Sequence, residues 1–272
     1  MPYNEDMSSQ PQPEISPLSV AIEAAQAGAR ILRRGFGQTQ RISHKGLVDL
    51  VTEQDRRSEA AILRVITSHF PQHAILSEES GRQGAPSEHR WIVDPLDGTT
   101  NYAHGYPIFC VSVAYERAGQ LEVGVIIDVL RRELFVGQRG HGVTLNGRPS
   151  TVSSAESLIE SMLATGFPYD RERMKLALDQ FAHMAYLTQA LRRAGAAALS
   201  LAYVAVGRLD GFWEATISPW DCAAGALLIQ EAGGTVTLLD GSPYQVDAHE
   251  IAASNGKIHG ALIAEVMRAS QH

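Results

Sequence analysis

The sequence predicts an α+β fold in which helices alternate with mixed and antiparallel strands. Three features predict it: two amphipathic helical repeats near the start, a run of β-branched segments parted by turn dipeptides, and a C-terminal half in which helix-like and strand-like segments alternate. With 272 residues, 44% hydrophobic and 19% charged, the chain can bury a sizeable core and is neither disordered nor fibrous in composition.

Residues 18–32 place Leu18, Ala21, Ile22, Ala25, Ala29 and Leu32 at intervals of three and four, one face of a helix, with Gly35 and Gly37 as stop signals. Residues 1–17 are polar, hold four prolines and predict a flexible tail. Residues 18–272 read as one domain, because no repeat and no low-complexity linker divides them. A second helix begins near Asp55, carries Ala61, Ile62, Val65, Ile66 and Phe70 on one face, and stops before Pro71. Two short apolar strands then end on acids. His73 to Leu76 leads into Ser77-Glu78-Glu79-Ser80, and Arg90-Trp91-Ile92-Val93 leads into Asp94. Residues 108–116, 121–130 and 133–136 predict an antiparallel meander that turns at Ala118-Gly119 and Arg131-Arg132, with Asn146-Gly147 as a further hairpin signal. Beyond it, helices are expected over 171–187, 196–206 and 219–232, strands over 209–215, 235–239 and 251–253, and a last helix from Ile258.

The formal net charge of -7 argues against a sequence-independent grip on nucleic acid, which needs Lys and Arg clustered against phosphates, so no direct nucleic-acid binding is expected. No apolar run approaches the ~20 residues that span a bilayer, and the acidic start lacks the pattern of a secretory signal. Cys110 and Cys222 sit in apolar stretches without zinc-ligand spacing, which reads as buried thiols in a reducing, cytoplasmic setting.

The richest stretch is Trp91-Ile92-Val93-Asp94-Pro95-Leu96-Asp97-Gly98-Thr99-Thr100-Asn101-Tyr102, where a strand runs into a turn holding two carboxylates three residues apart. Pro95 fixes a tight turn, Gly98 permits close backbone approach, and Asp97 with Thr99 can open a helix whose free N–H groups favour an anion. Carboxylates, the Leu96 carbonyl and a substrate phosphate together would suit Mg²⁺, a hard cation that takes oxygen ligands. In isolation, Asp-x-x-Asp-Gly-Thr is equally a helix cap on a surface turn. Glu78, Glu79 and Asp221 shift the balance, since each is an acid set beside an apolar strand or helix signal. Close like charges repel by up to ~4 kcal/mol per pair at an effective dielectric of about 20, so a pocket of them needs a cation. The spacing of Asp94 and Asp97 differs from the Asp-x-Asp-Gly-Thr of haloacid-dehalogenase phosphatases, and Gly137, Gly140 and Gly142 fall between hairpin strands rather than opening a nucleotide-binding helix.

These residues resemble the signature of the inositol monophosphatase family, a branch of the lithium-sensitive, Mg²⁺-dependent phosphatases. The likeness extends to residues 48–55, Leu76-Ser77-Glu78-Glu79-Ser80, residues 211–214, Trp220-Asp221-Cys222 and residues 231–234, in family order. It implies a layered αβαβα sandwich of the sugar-phosphatase type, with mixed and antiparallel sheets between helix layers. It also implies that Glu78, Asp94, the Leu96 carbonyl, Asp97 and Asp221 ligate Mg²⁺, and that Gly98 and Thr99 hold phosphate. Thr99 paired with Asp55 would activate water, and Glu79 would orient its neighbours. Glu214 would accept from substrate hydroxyls, Gly195, Ala196 and Ala197 would line the substrate ring, and Arg192 would add positive charge. Ala196 stands where many members carry Thr or Ser, which removes a polar contact. Thr100 stands where nucleotidase and histidinol phosphatase branches carry Lys, which favours a small polyol phosphate such as myo-inositol 1-phosphate. Lys45 reads as a solvated lysine or as part of a mobile loop at the metal site. The resemblance further implies a homodimer. Sugar, histidinol and nucleotide phosphatases on the same fold, and a regulatory binding protein that has lost turnover, are the alternatives.

Overall fold

The structure, a computed structural model, describes residues 15–38, 42–44, 50–168 and 170–270; nearly all of the expected tail, and Lys45, lie outside these residues. Helix α1 (Pro17–Gly35) starts on Ser16, whose hydroxyl oxygen accepts from the Ser19 N–H, with proline at the first helical position. A short hairpin, β1 (Ile42–His44) and β2 (Leu50–Thr52), feeds α2 (Glu53–His69). Thr52 and Asp55 form a capping box there: Thr52 Oγ1 accepts from the Gln54 N–H, and the Asp55 carboxylate accepts from the Thr52 N–H at 2.8 Å.

The next nine elements are β3 (Ala74–Ser77), β4 (Gly81–Gln83), β5 (His89–Asp97), α3 (Thr99–Ala103), β6 (Cys110–Arg117), β7 (Gln120–Asp128), β8 (Glu133–Gln138), β9 (Gly142–Leu145) and β10 (Arg148–Ser150). Their eight strands form one sheet in the order β10-β9-β8-β7-β6-β5-β3-β4, parallel only between β3 and β5. Asn146 and Gly147 close the β9–β10 hairpin with φ of 51° and 75°, the left-handed pair that such a tight turn demands. The rest of the chain runs β11 (Met162–Thr165), α4 (Arg171–Leu187), β12 (Ala190–Arg192), α5 (Ala197–Ala205), β13 (Gly211–Glu214), α6 (Pro219–Glu231), β14 (Thr235–Thr237), β15 (Ile251–Ser254) and α7 (His259–Ala269). Here the sheet order is β12-β11-β13-β15-β14, parallel from β12 to β13 and antiparallel beyond.

Five layers result, as the resemblance implied. Helices α1 and α2 cover one face of the large sheet, α5 and α6 lie between the two sheets, and α4 and α7 cover the outer face of the small one. Covered on both faces, the large sheet alternates two apolar sets. Trp91, Val93, Val111, Val113 and Val125 join the α1/α2 core, while Ile92, Ala114 and Ile126 join the core shared with α5 and α6. Gly124 lets α6 approach, since a Cβ there would lie 2.7 Å from the Ala224 carbonyl oxygen.

Strands β1, β2, β4, β11 and β12 were not expected. Four have three residues, too few to show a period, and β11 is a mostly buried four-residue run whose partners lie far away in sequence.

Candidate functional site

Two acids three apart on a regular strand would face opposite sides of the sheet. Here the pairing of β5 with β6 slips: Asp94 faces Ser112 and Asp97 faces Cys110, so three steps on one strand match two on the other. Pro95, which has no N–H to give to a ladder, sits in this bulge. The extra residue brings Asp97 round to the side of Asp94, and carboxylate oxygens of Asp94, Asp97 and Asp221 lie within 4.8 Å of one another. Asp221 comes from the first turn of α6, where its carboxylate also accepts from the Ser218 N–H at 3.0 Å. Glu78 arrives from the turn after β3, held by its N–H to the Val93 carbonyl at 3.2 Å, and lines the same cleft.

Asp97 was expected to open the helix at Thr99. Instead its carboxylate caps α5, accepting from the Ala197 N–H at 3.1 Å and the Leu199 N–H at 3.3 Å, with the Cys110 thiol 3.4 Å away. Ala196 at the start of α5 has no side chain that can do this. Asp94 Oδ1 accepts from the Leu96 N–H at 2.9 Å, while Oδ2 is buried and has no hydrogen-bond partner among the described residues. Burial first, then the charges of Glu78, Asp97 and Asp221, push the Asp94 carboxyl well above the usual carboxylate range. Burial likewise raises Asp97 from 3.8 to about 6, against the pull of its hydrogen bonds. A buried acceptor left open amid several carboxylates fits an oxygen-ligated divalent cation.

The sign of these shifts fixes a stability profile. A carboxyl whose pKa rises on folding holds its proton longer in the folded state, so folding stability is present below the unfolded value and lost as pH rises through the folded one. In chelator-treated protein, Asp97 should therefore cost on the order of 1–3 kcal/mol as pH climbs from about 4 to about 6. Thermal melts of wild type and Asp97→Asn should diverge in the variant's favour across that window, and parallel curves would contradict a buried charge at this position.

Thr99 begins α3, with its hydroxyl 2.8 Å from Asp55 Oδ1 and 3.0 Å from the Leu96 carbonyl oxygen. Asp55 is fully buried; burial raises its pKa, and hydrogen bonds from Thr52 and Thr99 oppose the rise. Gly98 sits between with φ of 93°, where a Cβ would lie 2.9 Å from the Ile108 carbonyl oxygen, so both conformation and space demand glycine. Gly195, Ala196 and Ala197 form the opposite wall, tied to α3 by Asn101, whose Nδ2 lies 2.8 Å from the Ala194 carbonyl oxygen and 2.7 Å from that of Ile108. Glu214 ends β13 in the cleft, its pKa raised well above normal by burial and by Asp221 and Asp97, with Arg193 acting against them. A Cβ on Gly166 would overlap the Glu214 carboxyl, so that glycine leaves it room.

The cleft measures about 360 Å³ and gathers Glu78, Asp94, Leu96, Asp97, Gly98, Thr99, Gly195, Ala196, Ala197, Glu214 and Asp221. Asp55 stands behind Thr99, and Glu79 lies in the turn next to Glu78 without lining the cleft. Arg192 is a correction: it is exposed at the end of β12, its guanidinium donates to the Leu191 carbonyl at 2.9 Å, and it does not line the cleft. Arg193 does, 5.6 Å from the Phe167 ring centroid. Neighbours in extended chain face opposite ways, so choosing between adjacent arginines required the end of a three-residue strand that no local pattern marks. Asn101, Phe167 and Trp220 were also missed as parts of the site; only Asn101, inside the Asp-Gly-Thr-Thr-Asn run, carried a signal.

The fold and site define a class: a five-layer αβαβα protein with a carboxylate-lined cleft and, at its edge, a threonine hydroxyl paired with a buried aspartate. The inositol monophosphatase family profile matches residues 16–272, and the chain belongs to that family. An inositol-1-monophosphatase of Synechocystis is 45% identical over 94% of this chain and 92% of its own length. The Nus factor SuhB of Pseudomonas aeruginosa is 42% identical over 92% and 95%. The solved inositol monophosphatase of Anabaena superposes with a TM-score of 0.84 at 47% identity, covering 92% of this chain and 95% of that one. Among the described residues no helix is long and apolar enough to cross a membrane.

Proposed function

We propose that the chain is a Mg²⁺-dependent phosphomonoesterase that hydrolyses myo-inositol 1-phosphate or a closely similar small polyol phosphate to the alcohol and phosphate. The observation that carries the reading is the open, buried Asp94 Oδ2 among the cleft acids, beside the Asp55–Thr99 pair. Glu78, Asp94, the Leu96 carbonyl, Asp97 and Asp221 would hold Mg²⁺. Bound there, the ion supplies charge neutralisation of the phosphate and leaving oxygen and acidifies water. The Thr99 hydroxyl, donating to Asp55, keeps lone pairs free to take a hydrogen bond from the attacking water and orient it in line with the ester bond. Gly98 and Thr99 present backbone N–H groups to phosphate oxygens. Glu79 would steady Glu78 from the adjacent position. Gly195, Ala196 and Ala197 leave the wall smooth for a ring, and Glu214 accepts from its hydroxyls. Arg193, in place of Arg192, brings positive charge to the rim. No covalent enzyme intermediate is needed.

Supporting a cytoplasmic homodimer are the family resemblance and two free, buried cysteines. Relatives named SuhB favour a second reading, a protein-binding role on the same fold. A pulldown with a site-dead variant separates that role from turnover.

Initial rates of phosphate release at matched Mg²⁺ test the main reading. Myo-inositol 1-phosphate should be hydrolysed with higher kcat/KM than adenosine 3′,5′-bisphosphate, fructose 1,6-bisphosphate or histidinol phosphate. A wrong substrate leaves buried polar groups unpaired, at ~1–3 kcal/mol each, or roughly tenfold to a hundredfold. Glu214→Ala should narrow that preference. A bisphosphate ranked first would overturn the substrate assignment and leave the metal chemistry standing.

A further inference from the structure

One face of α2 turns three polar side chains toward three different turns of the cleft. Asp55, Ser58 and Glu59 are spaced i, i+3 and i+4, so they project from the same side of the helix. All three are buried. Asp55 takes the Thr99 hydroxyl at 2.8 Å. Ser58 Oγ donates to the Pro95 carbonyl at 2.8 Å, which pins the bulge between Asp94 and Asp97. Glu59 reaches the turn that carries Glu78: its Oε1 accepts from the Ser77 hydroxyl at 2.5 Å, the Ser80 N–H at 3.1 Å and the Ser80 hydroxyl at 2.9 Å. Those partners stand on either side of Glu78 and Glu79, so one carboxylate oxygen ties together both ends of the four-residue turn. Across the sheet, the Glu78 N–H donates to the Val93 carbonyl of β5 at 3.2 Å.

We propose that Glu59 is a positioning residue for the cation site: by holding the ends of the Ser77-to-Ser80 turn it sets where the Glu78 carboxylate stands relative to Asp94. The inference rests on the metal-dependent reading of the cleft and adds a residue that touches neither ion nor substrate. If Glu59 is lost, the exposed Ser80 can turn to water, while the buried Ser77 loses the acceptor of its hydroxyl. What disappears is the fixed distance between α2, which already sets Thr99 through Asp55, and the cation ligand carried by the turn after β3.

Calorimetric titration of the purified full chain with Mg²⁺ alone, with no substrate present, tests this independently of turnover. Glu59→Ala should weaken Mg²⁺ binding by about ten- to a hundredfold, the usual loss when a group that orients a metal ligand is removed, whereas Glu59→Gln, whose amide oxygen can still accept from Ser77 and Ser80, should keep most of the affinity. At saturating Mg²⁺ the KM for the phosphate ester should stay near the wild-type value. Ser80→Ala, an exposed position that folding tolerates, should weaken binding in the same direction by less, and should add nothing further to Glu59→Ala because both cut the same tie. Mg²⁺ affinity within twofold of wild type in folded Glu59→Ala and in Ser80→Ala would overturn the proposal, however far the melting temperature fell. Wild-type protein that bound no Mg²⁺ would overturn the metal reading of the cleft and this proposal with it.

Discussion

Asp94→Asn is expected to remove phosphate release by at least about 10²-fold at saturating Mg²⁺, since losing even a group that merely orients a metal ligand costs about 10–100-fold. The substitution is nearly isosteric. Its amide oxygen can still accept from the Leu96 N–H, so the bulge keeps its shape. What changes is the other atom: Oδ2, the buried oxygen with no described partner, becomes an NH₂ that no cation will accept as a ligand. Because one negative charge leaves a repelling cluster, the chelator-treated variant should melt no lower than wild type. Wild-type activity in excess chelator should fall to the same floor. A variant that kept more than about a tenth of wild-type kcat, a loss smaller than the low end of that range, would remove Asp94 from the proposed ligand set.

Thr99→Ala should lower kcat by ~10²–10⁴, the usual worth of a group that moves or holds a proton in the transition state. The hydroxyl lies within hydrogen-bond reach of both Asp55 Oδ1 and the Leu96 carbonyl, and its removal leaves Asp55 with its bonds from Thr52. The fold should survive on those bonds. Mg²⁺ titrations of kcat should show the same half-saturating concentration as wild type, because none of the five proposed ligands has changed, and Thr99→Ser should restore most of the rate. A large shift in Mg²⁺ dependence with kcat preserved would make Thr99 a ligand-ordering residue.

Much of this arrangement was legible locally. The helical periods of α1 and α2, the meander from β6 to β8 and the Asn146-Gly147 turn follow from side-chain spacing, because each buries a face through neighbours close in sequence. The cleft acids announced themselves by sitting where apolar segments end. Less local facts stayed hidden. That Asp97 caps α5, about a hundred residues away, cannot be seen from the run that contains it. Strand β11 lies parallel to both β12 and β13, with partners that local periodicity does not reach. Arg192 and Arg193 differ by one step in extended chain, and that step decides which of them meets the cleft. Ser58 and Glu59 look like any polar residues on an amphipathic helix until the turns they hold are folded against them.

The bulge between Asp94 and Asp97 makes the cleft a matter of counting. Side chains on β5 alternate with the sheet up to Asp94, skip a beat at Pro95, and resume out of phase at Asp97. Closing the bulge at unchanged length would slip the register by one and turn Asp97 toward the α1/α2 core. Shortening the stretch by a single residue would instead leave the two aspartates two apart and still on one face, but in a regular ladder. What the lost position would take with it is backbone that the bulge sets free, the Pro95 carbonyl that receives Ser58 and the Leu96 carbonyl that receives Thr99. The cleft therefore depends on a position as well as on its side chains, and a lineage that lost the position could not restore it by exchanging one amino acid for another.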